Sequence, residues 1–145
     1  MTFLLDVNVL IALIDPTHTA HQTAHDWFAD EGHQSWATCP MTENGVIRIV
    51  SNPRYPNTPG SPAVVAESLS GLCKLAGHVF WPNDISLVAS GHIDCSQILT
   101  SAQVTDSYLL ALASAHGGKL ATLDRRLSTK AVPKGRAALK IISEI

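Results

Sequence analysis

Charged side chains are scarce in this chain. Asp, Glu, Lys and Arg supply only 15% of its 145 residues, against 46% hydrophobic. Intrinsic disorder needs the reverse balance, so the composition argues for a folded domain with a substantial core. Long apolar runs are also missing. None approaches the ~20 residues that cross a bilayer, so no membrane association is expected. The first apolar stretch carries Asp6 and Asn8 without a basic leader, and no signal peptide is expected. Cysteine is limited to Cys39, Cys73 and Cys95, an odd number with no CxxC pair. That argues against a disulfide framework, suits a cytoplasmic setting and predicts three buried free thiols. Glycine-rich phosphate loops and G-x-S-x-G elbows do not occur, and Ser107 has no credible histidine base. A net charge of −2 by itself implies no polyanionic partner.

The positive charge that is present is unevenly placed. Lys119, Arg125, Arg126, Lys130, Lys134, Arg136 and Lys140 fall in the final quarter, whose only acids are Asp124 and Glu144. Such an end could guide a phosphate backbone or simply be solvated surface.

The length is that of one ordinary domain, spanning 1–145. Strand-like and helix-like segments alternate along it. Strands are expected at 2–6, 34–39, 78–82, 119–124 and within 138–145. Helices are expected at 7–14, 17–32, 41–52, 63–77 and 104–118, with Thr17 or Thr19 opening the second and Thr105 or Asp106 the last. The segment 53–62 holds four of the eight prolines and reads as a loop, and 83–103 reads as short helices and turns. This alternation predicts an α/β fold, a mostly parallel central sheet of about five strands flanked by helices. Ligands of such sheets bind beyond the carboxyl ends of the strands.

That edge gathers acids. Residues 3–13 are all apolar except Asp6 and Asn8. A carboxylate there costs several kcal/mol to bury unless something offsets it. Asp6 ends the first strand, Glu43 lies in the first turn of the helix after the second, Asp106 opens the helix leading into the fourth strand, and Asp124 ends that strand. All four point toward one rim. A pair about 4 Å apart costs roughly 4 kcal/mol at an effective dielectric of 20. Either some are protonated or a cation sits among them, and all-oxygen ligands favour Mg²⁺ or Mn²⁺. Taken singly, Asp106 could cap a helix, Glu43 could favour a helix dipole and Asp124 could make a turn. Their coincidence at one edge is what points to chemistry.

The stretches "LLDVNVLIAL", "TENGVIRIVSNPRY" (42–55) and "VTDSYLLALASAHGGKLATLD" (104–124) closely resemble the PIN-domain family, in particular the VapC toxins of bacterial and archaeal toxin–antitoxin pairs. The resemblance covers nearly the whole chain. It matches Asp6, Glu43, Asp106 and Asp124 to the family's acidic quartet, and Asn8 and Thr122 to polar positions beside it. It implies a single PIN-like domain with Mg²⁺- or Mn²⁺-dependent endoribonuclease activity that arrests growth. It further implies a homodimer neutralised by a VapB-type antitoxin, with operator DNA reached only through that antitoxin. Some PIN domains carry a further acid where this chain has Asn8, which can ligate or position water but adds no charge. Within that frame Asp6 and Asp106 would hold the principal metal. Glu43 and Asp124 would complete its surroundings, with Asn8 alongside and Thr122 bonding water or a carboxylate. Water-driven hydrolysis of RNA predicts a 5′-phosphate and a 3′-hydroxyl. Arg125 and Arg126, next to the rim, and Arg48, about one turn beyond Asn44, are the phosphate-contact candidates.

Two other functions compete. A non-catalytic RNA-binding or regulatory domain could keep the fold, though the complete quartet argues against it. A haloacid-dehalogenase-like phosphohydrolase also begins strand–Asp, but it needs a second acid where Asn8 stands. His18, His21 and His25 share one face of the second helix at i, i+3 and i+7, a spacing open to zinc but more often met by surface or hydrogen-bonded residues. Trp27, Phe28, Trp36, Phe80 and Trp81 are expected in the core. The apolar segments 7–14 and 46–50 suit core packing or a protein partner equally.

Overall fold

A computed structural model of the protein describes residues 1–144. In chain order the elements are β1 (Phe3–Leu5), α1 (Val7–Ile14), α2 (His21–Asp30), β2 (Trp36–Thr38), α3 (Pro40–Val50), α4 (Pro62–Cys73), β3 (His78–Phe80), α5 (Gln103–Ala115), β4 (Lys119–Thr122) and β5 (Leu139–Ile141). The five strands form one sheet in the order β3-β2-β1-β4-β5, and every pairing is parallel. The expected α/β architecture is therefore present, with a sheet that is wholly rather than mostly parallel.

The three central strands, β1, β2 and β4, are buried on both faces, as strands of parallel sheets are. Phe3, Leu5, Trp36 and Ala121 pack against α1, α2, α3 and α4. Leu4, Ala37 and Leu120 point the other way, onto α5 and the segment 127–138. This period of two explains why the strands read as continuous apolar runs. Val9, Leu10, Ile11, Ala12 and Leu13 are core, which assigns most of 7–14 to packing within the chain, whereas in 46–50 only Val46 and Val50 are buried and Ile49 is exposed. β1 leads through α1 and α2 to β2 on one side of the sheet, while its other neighbour, β4, leads away to β5. The chain thus reverses direction between β1 and β4, where such sheets form a crevice at their carboxyl edge.

Several local details differ from the sequence reading, each for a visible reason. The second helix starts at His21, not at 17, because Asp15 organises the preceding turn by accepting from the backbone N–H and hydroxyl of Thr17. No threonine caps it. The fourth helix stops at Cys73, before Gly77. β4 stops at Thr122, leaving Asp124 in the turn beyond, and the last strand is only 139–141, Ile145 lying outside the described residues. Phe80 is exposed because β3 is an edge strand; of the three thiols expected to be buried only Cys39 is, since Cys73 at the end of α4 is half-buried and Cys95 is exposed in a short 3-10 helix, 95–97. Gly45, inside α3, is accounted for by contact: a Cβ there would come within 2.7 Å of a methyl of Val7, so α3 crosses α1 closely only because residue 45 has none.

The three histidines of α2 have structural work. Ala12 near the end of α1 would ordinarily accept from the N–H of residue 16, but Pro16 has none. His21 Nδ1 takes that place at 2.7 Å. Leu13 loses the Thr17 N–H to Asp15, and His25 Nε2 reaches its carbonyl at 3.0 Å. The His18 ring accepts from the N–H of Ala20. No helix among the described residues is long and apolar enough to cross a membrane.

Candidate active site

The crevice between β1 and β4 is lined from both strands. Asp6 follows β1 directly and is the N-cap of α1, with its backbone still extended. Two residues on from Leu4, its side chain continues the face that meets α5. Thr122, two on from Leu120, lies on that face too, and the two side chains meet. The Thr122 hydroxyl donates to Asp6 Oδ2 at 2.8 Å, and the Val7 N–H donates to Oδ1 at 2.8 Å. With its proton so committed, the hydroxyl accepts from Asn8 Nδ2 and from the Asp124 N–H, each at 3.1 Å. Asn8 Oδ1 in turn accepts from the Leu123 N–H at 3.1 Å. One threonine and one asparagine thereby lock the start of α1 to the end of β4, and Asp6 is fixed at the centre.

Asp6 is buried, with only 6% of its surface exposed. Burial pushes its carboxyl above the usual carboxylate range, the bonds from Thr122 and Val7 pull it back, and the charge of Asp124 pushes it up again. Asp106 is in the first turn of α5 and does not cap it; the N-cap position is Ala102. Its half-buried carboxylate receives no hydrogen bond among the described residues. Burial and the charges of Asp6 and Asp124 push it from 3.8 to about 6. Asp124 is exposed and spends Oδ1 on the Arg126 N–H at 2.8 Å, so it makes a turn and still acts on the other two acids. Asp6, Asp106 and Asp124 therefore form one electrostatic unit.

Glu43 stands differently. It is in the first turn of α3 at the same sheet edge, but Thr38 Oγ1 donates to its Oε2 at 2.8 Å. Thr38 shares its face with Trp36, on the α1–α4 side of the sheet. The charge of Glu43 acts on His78 and Cys73, not on the aspartates. Arg125, Arg126 and Arg48 are exposed and take part in no ion pair among the described residues. Sequence reasoning passed over Thr38 and His78. A threonine ending a strand and a lone histidine carry no pattern, and only the parallel register of β2 with β3 brings them together.

The chemistry of this donor set suits a hard divalent cation. The groups are carboxylate, amide and hydroxyl oxygens, and burial, with the charges of Asp6 and Asp124 added to it, holds Asp106 at about 6, a cost that a bound cation would relieve. Asp6 and Asp106 are side chains that could hold one. Among the described residues, no three acidic, histidine or cysteine side chains already close around one point.

Comparison with known proteins bears on the same residues. The PIN domain matches residues 3–133. The chain is similar to Ribonuclease VapC44 of Mycobacterium tuberculosis, at 43% identity over 136 residues, which covers 92% of this chain and 93% of that protein. It is similar to Ribonuclease VapC39 of the same organism, at 43% identity over 131 residues, covering 90% and 94%. Ribonuclease VapC38, also from that organism, is 35% identical over 140 residues, 97% of each chain. A PIN match over most of the chain, with such identities end to end, makes this protein a member of the PIN-domain family, of the VapC type.

Proposed function

We propose that the protein is the toxin ribonuclease of a toxin–antitoxin pair and hydrolyses RNA phosphodiesters at the Asp6–Asp106–Asp124 crevice. The observation that carries this is the charge-coupled trio at the reversal point of the parallel sheet. Helix capping explains neither the raised carboxyl of Asp106 nor its lack of a hydrogen bond. The VapC relatives, named as ribonucleases, supply the substrate class.

Asp6 and Asp106 would hold Mg²⁺, or Mn²⁺ in its place, with Asn8, Asp124 and Glu43 around it. A cation so bound supplies Lewis-acid stabilisation of charge on phosphate oxygens and eases deprotonation of water. The chain's own residues do the rest. Thr122 and the Val7 N–H hold Asp6 in one rotamer, so its oxygens need not reorganise during the reaction. Asp106, free of protein hydrogen bonds, can accept a proton from a nearby water. Arg125 and Arg126 leave the rim on the turn after Asp124 and would grip phosphates, with Arg48 as a further contact from α3. Thr122 works as a positioning residue. Hydrolysis by water leaves a 5′-phosphate and a 3′-hydroxyl and does not use the 2′-hydroxyl. The protein would act in the cytoplasm as a homodimer, silenced by a VapB-type antitoxin and meeting operator DNA only through it.

The test is induced expression of wild type and Asp6→Asn in a host without the antitoxin, with 5′-ends of total RNA mapped. Growth arrest with discrete new 5′-phosphate ends, both lost in the variant, is expected. Ends bearing a 5′-hydroxyl, or a 2′,3′-cyclic phosphate on the other fragment, would overturn the mechanism. Equal arrest by both proteins without new ends would return the protein to the non-catalytic reading.

A further inference from the structure

One hydrogen-bonded chain beside the crevice is not used by the reading above. Thr38 Oγ1 is completely buried at the end of β2 and lies 2.8 Å from Glu43 Oε2 and 2.8 Å from His78 Nε2. A hydroxyl has one proton, and a carboxylate can only accept. The Thr38 proton therefore belongs to Glu43, and His78 Nε2 must carry a hydrogen and donate it to Thr38. The polarity of the chain is fixed: His78 to Thr38 to Glu43. The imidazole is itself held, with its ring centre 4.6 Å from that of Trp36, a side chain with no solvent exposure. Glu43 Oε1 has no hydrogen-bond partner among the described residues, so Thr38 is the one side chain among them that holds this carboxylate.

We infer that Thr38 and His78 are positioning residues for Glu43, and that His78, on the edge strand, sets the orientation of this carboxylate through the Thr38 hydroxyl. The inference rests on the proposed ribonuclease reading, in which Glu43 takes part. It gives the edge strand β3 a function that burial does not explain, since Val79 and Phe80 are exposed and only His78 is turned inward. Partners standing behind acidic ligands in this way typically change activity or metal affinity by about 10–100-fold when removed.

The experiment is a double-mutant cycle on the full chain with steady-state RNA cleavage. Thr38→Val, which keeps the side-chain shape, should lower kcat by about 10-fold or more with KM for RNA little changed. Thr38→Ser should restore it. His78→Phe, which keeps a ring over Trp36 and removes the donor, should fall in the same direction. Either substitution added to Glu43→Gln should cost almost nothing further, because the group being positioned is already gone. The same non-additivity should appear without RNA, in the Mn²⁺ concentration that gives half the metal-induced rise in Tm. If Thr38→Val does not fold, the His78→Phe and Glu43→Gln pair completes the cycle alone. Losses that simply add, or wild-type kcat in Thr38→Val and His78→Phe while Glu43→Gln is impaired, overturn the inference alone. Wild-type kcat in Glu43→Gln removes Glu43 from the reaction and overturns both the inference and that part of the proposed function.

Discussion

Asp106→Asn should make the metal-free protein more stable, and the gain should switch on with pH. In the native state the Asp106 carboxyl is raised from 3.8 to about 6 by burial and by the charges of Asp6 and Asp124. Between those two values the native protein keeps a proton that the unfolded chain has lost. Wild-type stability therefore falls as pH rises from about 4 to about 6, and the loss is complete above that. Each pKa unit is worth about 1.4 kcal/mol, so two units would give roughly 3 kcal/mol. Asp106 is only half-buried and the repulsion is screened by salt, which reduces the expected loss to about 1–1.5 kcal/mol. Asparagine keeps the shape and never ionises, so it escapes this loss. For a domain of this size that corresponds to a Tm about 3–5 °C higher for the variant at pH 8. The assay is a thermal melt of both proteins in EDTA at low salt, from pH 4 to pH 8. The difference should be near zero at pH 4, grow through pH 6 and then level off. Adding Mg²⁺ at pH 8 should raise the wild type more than the variant, because a ligand that binds only the native state stabilises it by mass action. A difference independent of pH, or a wild type more stable than the variant at pH 8 in EDTA, would refute the electrostatic account of the crevice.

Three further outcomes follow from the same structure. Thr122→Val removes the donor to a buried carboxylate and should cost roughly 1.5–3 kcal/mol in urea denaturation, with Thr122→Ser close to wild type; equal stability of the valine variant would mean that the bond to Asp6 is not a structural tie. His21→Ala leaves the Ala12 carbonyl without a partner and should cost about 1–2 kcal/mol, while zinc and zinc chelators should leave the melting curves of wild type and variant unchanged. Arg125→Ala and Arg126→Ala should weaken RNA binding uniformly across sequences and each reduce the slope of log affinity against log salt by about 1, with kcat at saturating RNA preserved.

The fold was legible because its signals are repetitive. Each strand is an apolar run, each helix is bounded by proline, glycine or an acid, and the alternation of the two permits few topologies. Where the reading slipped, a tertiary contact had overridden a local signal. Thr17 and Thr19 have the composition of helix caps, yet Asp15 holds Thr17 in a turn and Tyr55 donates its hydroxyl to the same aspartate, so the helix starts later. Phe80 is as hydrophobic as a core residue, but nothing local says that its strand lies at the sheet edge.

The candidate site was legible in a different way. Asp6 stood out because an ionised group inside an apolar run has no cheap structural explanation, and the structure gives it a hydrogen-bonded frame drawn from the far end of the chain. Asp106 and Asp124 joined it because strand ends and helix starts share an edge, a rule that depends only on sheet direction. Glu43 obeys the same rule, yet its charge is not among those acting on the aspartates. The edge is a line in sequence logic but a ridge in space, with two faces. Asp6 and Thr122 fall on the α5 face, while Glu43 is held by Thr38, which falls on the other. Strand parity decides the difference: Thr38 follows Trp36 by two and inherits its direction, whereas Asp6 follows Leu4. Counting residues from the core positions of β1 and β2 would have separated Glu43 from the aspartates before any coordinates were known, and the same count singles out Thr38 as the residue able to reach it.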